Sequence, residues 1–404
     1  MKRRPLDDVT VIDLTHSWAG PHATRVLADY GAQVIVVEYP RRLGMHRGGR
    51  KDDRIYNRQS AWFQVNRNKY SLTLDLREPA QRAIFTDLVR QADVLMENGR
   101  AGVMSRLGLA YEDLIQIKPD LVMLSMPAYG SDGPYATYPA YGGALEVMSG
   151  IQNLTGYAPG GTPHRVKELD VINGLGAASA VLTALMYRLR TGQGQHIDLA
   201  QWEFSTHALF GEHLLEFMST GRHAPPLGNR HRRFAPQGCY PCRDDDRYVT
   251  LTVTSDSQWP RFCEAVGRPE WQDDPRLSTS EGRRAHHDEL DEQITAWSRQ
   301  RSHVEAAEAL QAHGIASGAV HTVADLAADP HLEARGYFVR DAAGTDKPMM
   351  GLPFHLSRTD GAVRWRGPDL GAHNEAIICE KLGRPASDVV PLDEETIGTA
   401  YDSQ

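Results

Sequence analysis

Four cysteines in 404 residues, Cys239, Cys242, Cys263 and Cys379, are too few for a disulfide framework. A chain of this length buries a sizeable core without disulfide or metal staples. A basic excess is also missing. Lys and Arg number 44 against 52 Asp and Glu, a formal net charge of -8. Nucleic-acid binders usually carry the opposite balance, so no nucleic-acid partner is expected. An anionic ligand must then be held by local basic residues or backbone N–H groups. The longest weakly polar run, Gly174 to Tyr187, reads as too short to span a bilayer, so no membrane partner is expected. No apolar core follows Met1-Lys2-Arg3-Arg4, so a secretory peptide is not expected, and the low cysteine content suits a reducing, cytoplasmic compartment.

Several catalytic signatures are absent. Without G-x-x-x-x-G-K-[ST] there is no P-loop, and without G-x-S-x-G or H-E-x-x-H neither an ordinary serine hydrolase nor a zincin has support. Cys239-Tyr-Pro-Cys242 invites a zinc or redox reading, but no second ligand pair stands at proper spacing. Two thiols near a strand is the plainer reading, and no metal is expected. His286-His287-Asp288-Glu289 lies in a charge run that reads as a solvated helix face. Gly174-Leu-Gly-Ala-Ala-Ser179 imitates a dinucleotide fingerprint, yet falls inside a helical pattern where the fingerprint needs a strand before it. Close packing against another backbone explains those glycines better.

What is present is a globular composition, 41% hydrophobic and 24% charged. Short apolar runs at Val9–Leu14, Gln33–Glu38, Ser71–Leu76, Asp93–Glu97, Leu121–Ser125 and His196–Leu199 alternate with helical patterns at Ala23–Ala28, Pro79–Arg90, Tyr111–Ile117 and Asp170–Arg190. The alternation predicts an α/β fold with a doubly wound, largely parallel, Rossmann-like sheet, whose ligands sit at the carboxyl ends of its strands. Composition shifts near residue 220. Gly221 to Gly238 reads as a linker, followed by a strand at Tyr248–Val253, polar helices to about His313 and a strand-like Ala319–Thr322. The expected division is a large domain from 1–215, a smaller α+β domain from 216–324 and a C-terminal segment from 325–404 returning to the large domain.

Asp170 opens the longest helical pattern. It can serve as an N-cap. The same position favours an ionised carboxylate, which can act as a covalent nucleophile, with nearby N–H groups to hold an oxyanion.

Several separated segments carry a resemblance. They are Val11-Ile-Asp-Leu-Thr15 with Ala19-Gly-Pro21, Leu27-Ala-Asp-Tyr-Gly-Ala32, Val36-Val-Glu38, Asn68-Lys69, Ser71-Leu-Thr-Leu-Asp-Leu76, Glu97-Asn98 and Gly102 to Gly108. Later come Gly130 to Tyr135, Thr191-Gly-Gln-Gly-Gln195, Asp329-Pro330, Ala334-Arg-Gly336 and Leu370 to Glu375. In this order and spacing the chain resembles the class III coenzyme A-transferases, the group of formyl-CoA:oxalate and crotonobetainyl-CoA:carnitine transferases, over nearly its whole length.

The resemblance implies that Asp170 is the nucleophile, forming an acyl–aspartyl anhydride and then an aspartyl-CoA thioester, with coenzyme A and acyl-CoA as substrates and no metal or nucleotide cofactor. It assigns CoA contacts to Leu74, Arg77, Asn98 and Arg106, and it implies an interlocked homodimer. Guanidinium geometry suits Arg77 and Arg106 to phosphates. The chain also departs from the pattern. Trp18 stands where formyl-CoA:oxalate transferases carry Gln, and is expected either to wall a pocket for a bulkier or less polar acid or to be buried in the core. Tyr39-Pro40 replaces the usual basic residue, with Arg41 and Arg42 following as the basic candidates. Gly99 stands where an aromatic is common. Only Gln237-Gly238 remains of a glycine-rich flap. An acyl-CoA racemase would need a His-Asp pair where Tyr141-Gly142-Gly143 stands, while an intramolecular transferase or a non-catalytic CoA-binding subunit remain alternatives. The acyl pocket is therefore expected around Trp18, Tyr141, Gln237 and Gly238, and to differ from that of the oxalate enzymes.

Overall fold

Six short strands rich in Val, Ile and Leu set the central layer of the protein, seen here in a computed structural model that describes residues 3–48, 52–157, 161–162, 164–166, 168–339 and 348–401. Met1 and Lys2 of the N-terminal basic run lie outside the described residues. The strands are β1 (Thr10–Asp13), β2 (Gln33–Glu38), β3 (Lys69–Thr73), β4 (Val94–Glu97), β5 (Val122–Ser125) and β6 (Gln195–Asp198). They form one sheet in the order β3-β2-β1-β4-β5-β6, and every neighbouring pair is parallel. Between them run α1 (Ala19–Asp29), α2 (Ser60–Val65), α3 (Pro79–Gln91), α4 (Val103–Arg106), α5 (Tyr111–Leu114), α6 (Gly142–Met148), α7 (Ile151–Leu154) and α8 (Leu169–Thr191), and α9 (Gln201–Thr220) follows β6.

Successive strand residues point to opposite faces, and both faces are covered. Val11, Val34, Val94 and Val122 pack with residues of α1 and α8. Their neighbours Ile12, Ile35, Leu95 and Met123 pack with Ile84, Phe85 and Leu88 of α3. The chain winds outward from β1 to β3 and returns through β4, so the carboxyl ends of β1 and β4 lie side by side while their connections diverge.

Two boundaries differ from expectation. The first helical pattern is expected at Ala23–Ala28, but α1 begins at Ala19 and takes Gly20 and Pro21 into its first turn. The first N–H groups of a helix have no intrahelical partner, so Pro costs nothing there. The apolar run at Gly174–Tyr187 belongs to a helix of 23 residues, long and apolar enough by length and composition to cross a membrane, not too short as the sequence reading had it. Here α8 serves as a core helix against α1. A Cβ at Gly174 would stand 2.7 Å from the carbonyl oxygen of Ala19. The helix stops at Gly192, in the left-handed region at φ 74°.

Two compact units divide the chain. The first comprises Met1–Gln152, Arg165–Arg222 and Arg335–Gln404. Within it, Arg67 and Asp29 form a fully buried ion pair at 2.7 Å, and Arg67 also donates to the carbonyls of Met350 and Gly351. Asn374 closes the outer edge of β3: its Oδ1 accepts from the Thr73 N–H at 2.9 Å and its Nδ2 donates to Thr73 Oγ1 at 2.7 Å. A two-stranded ribbon, Phe338–Val339 with Met349–Met350, lies in the same segment.

The second unit comprises Asn153–His164 and His223–Ala334. Its antiparallel sheet is β7 (Gln237–Pro241), β8 (Tyr248–Thr252) and β9 (Ala316–Ala319), in that order. Helices α10 (Trp259–Ala265), α11 (Ser280–Ala285), α12 (His287–Ser298) and α13 (His303–Ala312) belong with it. The last residues of the expected linker thus start a strand, and β9 ends at Ala319, where the strand-like signal began. Cys239 and Cys242 are both free thiols, three residues apart along extended chain. The charge run at His286–Glu289 is not wholly a solvated face. His287 turns inward, 3% exposed, and its Nε2 accepts the Gln237 N–H at 3.3 Å. Among the described residues, no group of three His, Cys, Asp or Glu is arranged to hold a metal ion.

Candidate active site

The carboxyl ends of β1 to β4 carry most of the basic and polar candidates. At the end of β1, the buried Asp13 accepts from Thr15 N–H at 2.9 Å, Thr15 Oγ1 at 2.6 Å, Thr24 Oγ1 at 2.6 Å and Lys69 Nζ at 3.0 Å. Both members of the Asp13–Lys69 pair are fully buried, and burial pushes the Lys69 ammonium below its ordinary value. A buried pair so fully hydrogen-bonded fixes the turn that leads from β1 into α1. Across the divergence point, Asn98 bridges the two connections: its Oδ1 accepts the His16 N–H at 2.7 Å and its Nδ2 donates to the His16 carbonyl at 2.8 Å. Glu97, 7% exposed, accepts the Gly99 N–H at 2.7 Å, and burial raises its carboxyl above the ordinary range.

Five other expected contacts lie on the same rim. Arg77 follows β3, pairs with Asp75 at 2.7 Å and lies over the Tyr39 ring at 4.6 Å, with 62% of its side chain exposed. Arg41 and Arg42 are exposed in the connection after β2, where the Arg41 carbonyl accepts from Ala400 N–H at 2.8 Å. Arg106 ends α4, in the connection after β4. Leu74 stands at the same rim, but its side chain is 2% exposed in the core and its N–H donates to Glu38, so the side chain itself is withdrawn from any ligand. Trp18 precedes α1, half-buried, with its ring edge-on to His46 at 5.0 Å.

Asp170 lies at the start of α8. The preceding helix boundary residue is Glu168, so Asp170 is the second residue of the first turn and not the N-cap. Its carboxylate makes no hydrogen bond among the described residues. It rests against Gly142: a Cβ there would come within 2.8 Å of Asp170 Oδ2. Burial, and then the charge of Glu146, raise the Asp170 carboxyl above its ordinary value, and Arg165 acts in the opposite sense. Gly174, one turn further along α8, abuts the carbonyl of Ala19, the neighbour of Trp18, so Asp170 starts its helix beside the start of α1.

Tyr141 precedes α6 and is 69% exposed. Gln237 and Gly238 belong to the other unit, at the start of β7, where Gln237 Oε1 accepts from Thr252 Oγ1 at 3.3 Å. Three residues around Asp170 escaped the sequence reading as site members: Gly142, Glu146 and Arg165. Glu146 left one signal, a carboxylate inside the apolar run Ala144 to Met148. Arg165 left none.

Residues 6–374 match the family described as CoA-transferase family III. The chain is 34% identical to succinyl-CoA–D-citramalate CoA-transferase of Chloroflexus aurantiacus, covering 98% of each chain. It is 31% identical to succinate–glutarate CoA-transferase of Agrobacterium fabrum, covering 94% of this chain and 96% of that protein. Among solved structures, a CaiB/BaiF family protein from Brucella suis superposes with a TM-score of 0.82 at 30% identity, covering 94% of this chain and all of that one. By sequence and by fold, the chain belongs to CoA-transferase family III, a family of class III CoA-transferase enzymes.

Proposed function

We propose that this chain moves coenzyme A from an acyl-CoA donor to a carboxylic acid acceptor through Asp170. The observation that carries the reading is the Asp170 carboxylate itself, free of hydrogen bonds among the described residues, partly desolvated and backed by a glycine. A carboxylate without donors to quiet it is a better nucleophile than a capped one. One Asp170 oxygen attacks the thioester carbonyl carbon, the C–S bond breaks, and CoA leaves as thiolate with an acyl–aspartyl anhydride behind. The thiolate attacks the aspartyl carbonyl, releases the donor acid as carboxylate and leaves an aspartyl-CoA thioester. The acceptor carboxylate then attacks that thioester, and the thiolate returns to the acceptor acyl carbon, freeing Asp170. No proton, metal or nucleotide enters the balance.

Arg77, Arg106, Arg41 and Arg42 are the candidates for the phosphates of CoA, with Asn98 and the Leu74 backbone at the same strand ends. Within the first unit, Trp18 and Tyr141 are the candidates for the acyl side. Both relatives are named for CoA transfer between carboxylic acids, which supports this reaction class. A homodimer in the cytoplasm completes the reading. Its support is an apolar face left open on one chain: Leu182, Met186 and Leu189 of α8 and Leu215 and Met218 of α9 are exposed.

Intact-protein mass spectrometry after incubation with a panel of acyl-CoAs, followed by hydroxylamine trapping and peptide mapping, tests the mechanism. An acyl or CoA adduct on Asp170 is expected. Bound thioester with no adduct, together with exchange of the α-proton in deuterated water, would sink the transfer reading in favour of an isomerase.

A further inference from the structure

The turn that carries Asn98 is held by the buried carboxylate of Glu97, the last residue of β4. Glu97 Oε2 accepts the Gly99 N–H at 2.7 Å, and a Cβ at Gly99 would stand 3.2 Å from the same oxygen. The carboxylate therefore lies against the backbone of the turn. Opposite it on β5, Ser125 hydrogen-bonds the same carboxyl, and Ser125 Oγ is 3.1 Å from His196 Nε2 on β6. Burying a carboxylate is costly, so its hydrogen bonds must compensate it. The sheet does not need this group, since the Met126 N–H bonds the main-chain carbonyl of Glu97. What the side chain organises is the turn.

The turn in turn organises the end of β1. The Asn98 carboxamide accepts from the His16 N–H at 2.7 Å and donates to the His16 carbonyl at 2.8 Å. The next residue, Ser17, stands at φ 64°, a left-handed conformation that is costly for a residue with a Cβ and persists only where its surroundings fix it. Asn98 supplies that fixation from the neighbouring strand end. Contacts thus run from Glu97 through Gly99 and Asn98 to His16, across the divergence point where sheets of this kind bind their ligands. Burial and the charge of Asp198 raise the Glu97 carboxyl, while the bonds from Ser125 and Gly99 favour its ionised form. An ionised carboxylate grips the Gly99 N–H more firmly than a neutral acceptor does.

We infer that Glu97 is a positioning residue for coenzyme A, acting through Asn98 to hold the His16-Ser17 turn in the shape that CoA binds. This rests on the CoA-transfer reading above and deepens it. Calorimetric titration of free CoA tests it without turnover. In Glu97→Gln, which keeps an acceptor and loses the charge, Kd for CoA should rise about tenfold at neutral pH, the scale that separates a charge-assisted from a neutral hydrogen bond. The ratio of variant to wild-type Kd should close toward unity as pH falls and Glu97 of the wild type takes up its proton. Titration of CoA itself, of His196 and of Asp198 is common to both proteins and cancels in that ratio. On a Ser125→Ala background, which lacks a bond favouring the ionised carboxyl, the same ratio should close at a higher pH. The melting temperature of Glu97→Gln should not fall at neutral pH, because a carboxyl raised by the fold above its ordinary 4.5 costs stability once ionised. Equal Kd values for wild type and Glu97→Gln, or a ratio that is the same at every pH, would overturn the inference and leave CoA transfer standing. A wild type that binds no CoA would overturn the transfer reading and this inference together.

Discussion

Asp170 is held in a state that the fold disfavours. Burial and Glu146 raise its carboxyl above the ordinary 3.8, so the folded protein binds a proton there more tightly than the unfolded chain does. Stability is then fully retained below pH 3.8 and lost as pH climbs through the raised folded value. Replacing Asp170 with Asn removes the charge and the penalty together. The variant should form no adduct with any thioester, yet melt above wild type at pH 7 by differential scanning calorimetry, with the gap closing as pH is lowered toward 3.8. A variant that melts below wild type at neutral pH would show that the carboxylate stabilises the fold. Gly142 is the second residue to probe. Its added Cβ would displace the Asp170 oxygen 2.8 Å away, and Gly142→Ala should lower kcat/KM about 100-fold with no loss of melting temperature, since Ala suits a helix better than Gly.

At the scale of elements, the contact between α1 and α8 fixes where the nucleophile stands. On an exposed helix, Gly→Ala gains stability by removing conformational freedom from the unfolded chain. At Gly174 the sign should reverse, because the new methyl meets the Ala19 carbonyl oxygen at 2.7 Å and His22 at 2.9 Å. Gly174→Ala should cost roughly 1–3 kcal/mol, read from the urea midpoint at unchanged slope. A midpoint above that of wild type would mean that the two helices are not in close packing. The sheet was legible because each buried strand is a short, continuous apolar run between polar breaks, as at Gln33–Glu38, where expected and observed limits coincide. The start of α8 was legible to one residue. Less local features were not. Nothing in the sequence marks α2, and the edge contacts of His373 and Asn374 are side-chain to backbone bonds across about three hundred residues, without a periodic pattern. Glu146 and Arg165 escaped because their meaning lies in which residue each faces, and Gly142 and Glu146 of α6 meet Asp170 only once α6 has packed against the start of α8.

For the whole molecule, α8 is the element to explain. It has the length and apolarity of a membrane span, and only 39% of its most apolar window is buried within one chain. A second copy laid on its open face would account for the remainder, and would draw the exposed side chains of α9 into the same contact. Light scattering coupled to size exclusion should give twice the chain mass of 44.9 kDa, without detergent, and Leu189→Glu should shift the mass toward the monomer. A wild-type mass of 44.9 kDa would remove the homodimer.

The closure of β3 by Asn374 also bears on how the protein is made. Thr73 and its partner are separated by 301 positions, and Arg67, paired with Asp29, waits for the carbonyl of Gly351. A nascent chain still on the ribosome therefore presents the β3 edge and an incompletely satisfied ion pair until residues 335–404 have emerged. Until Asn374 arrives that edge stays open to pairing by another strand, and its amide is what ends the exposure.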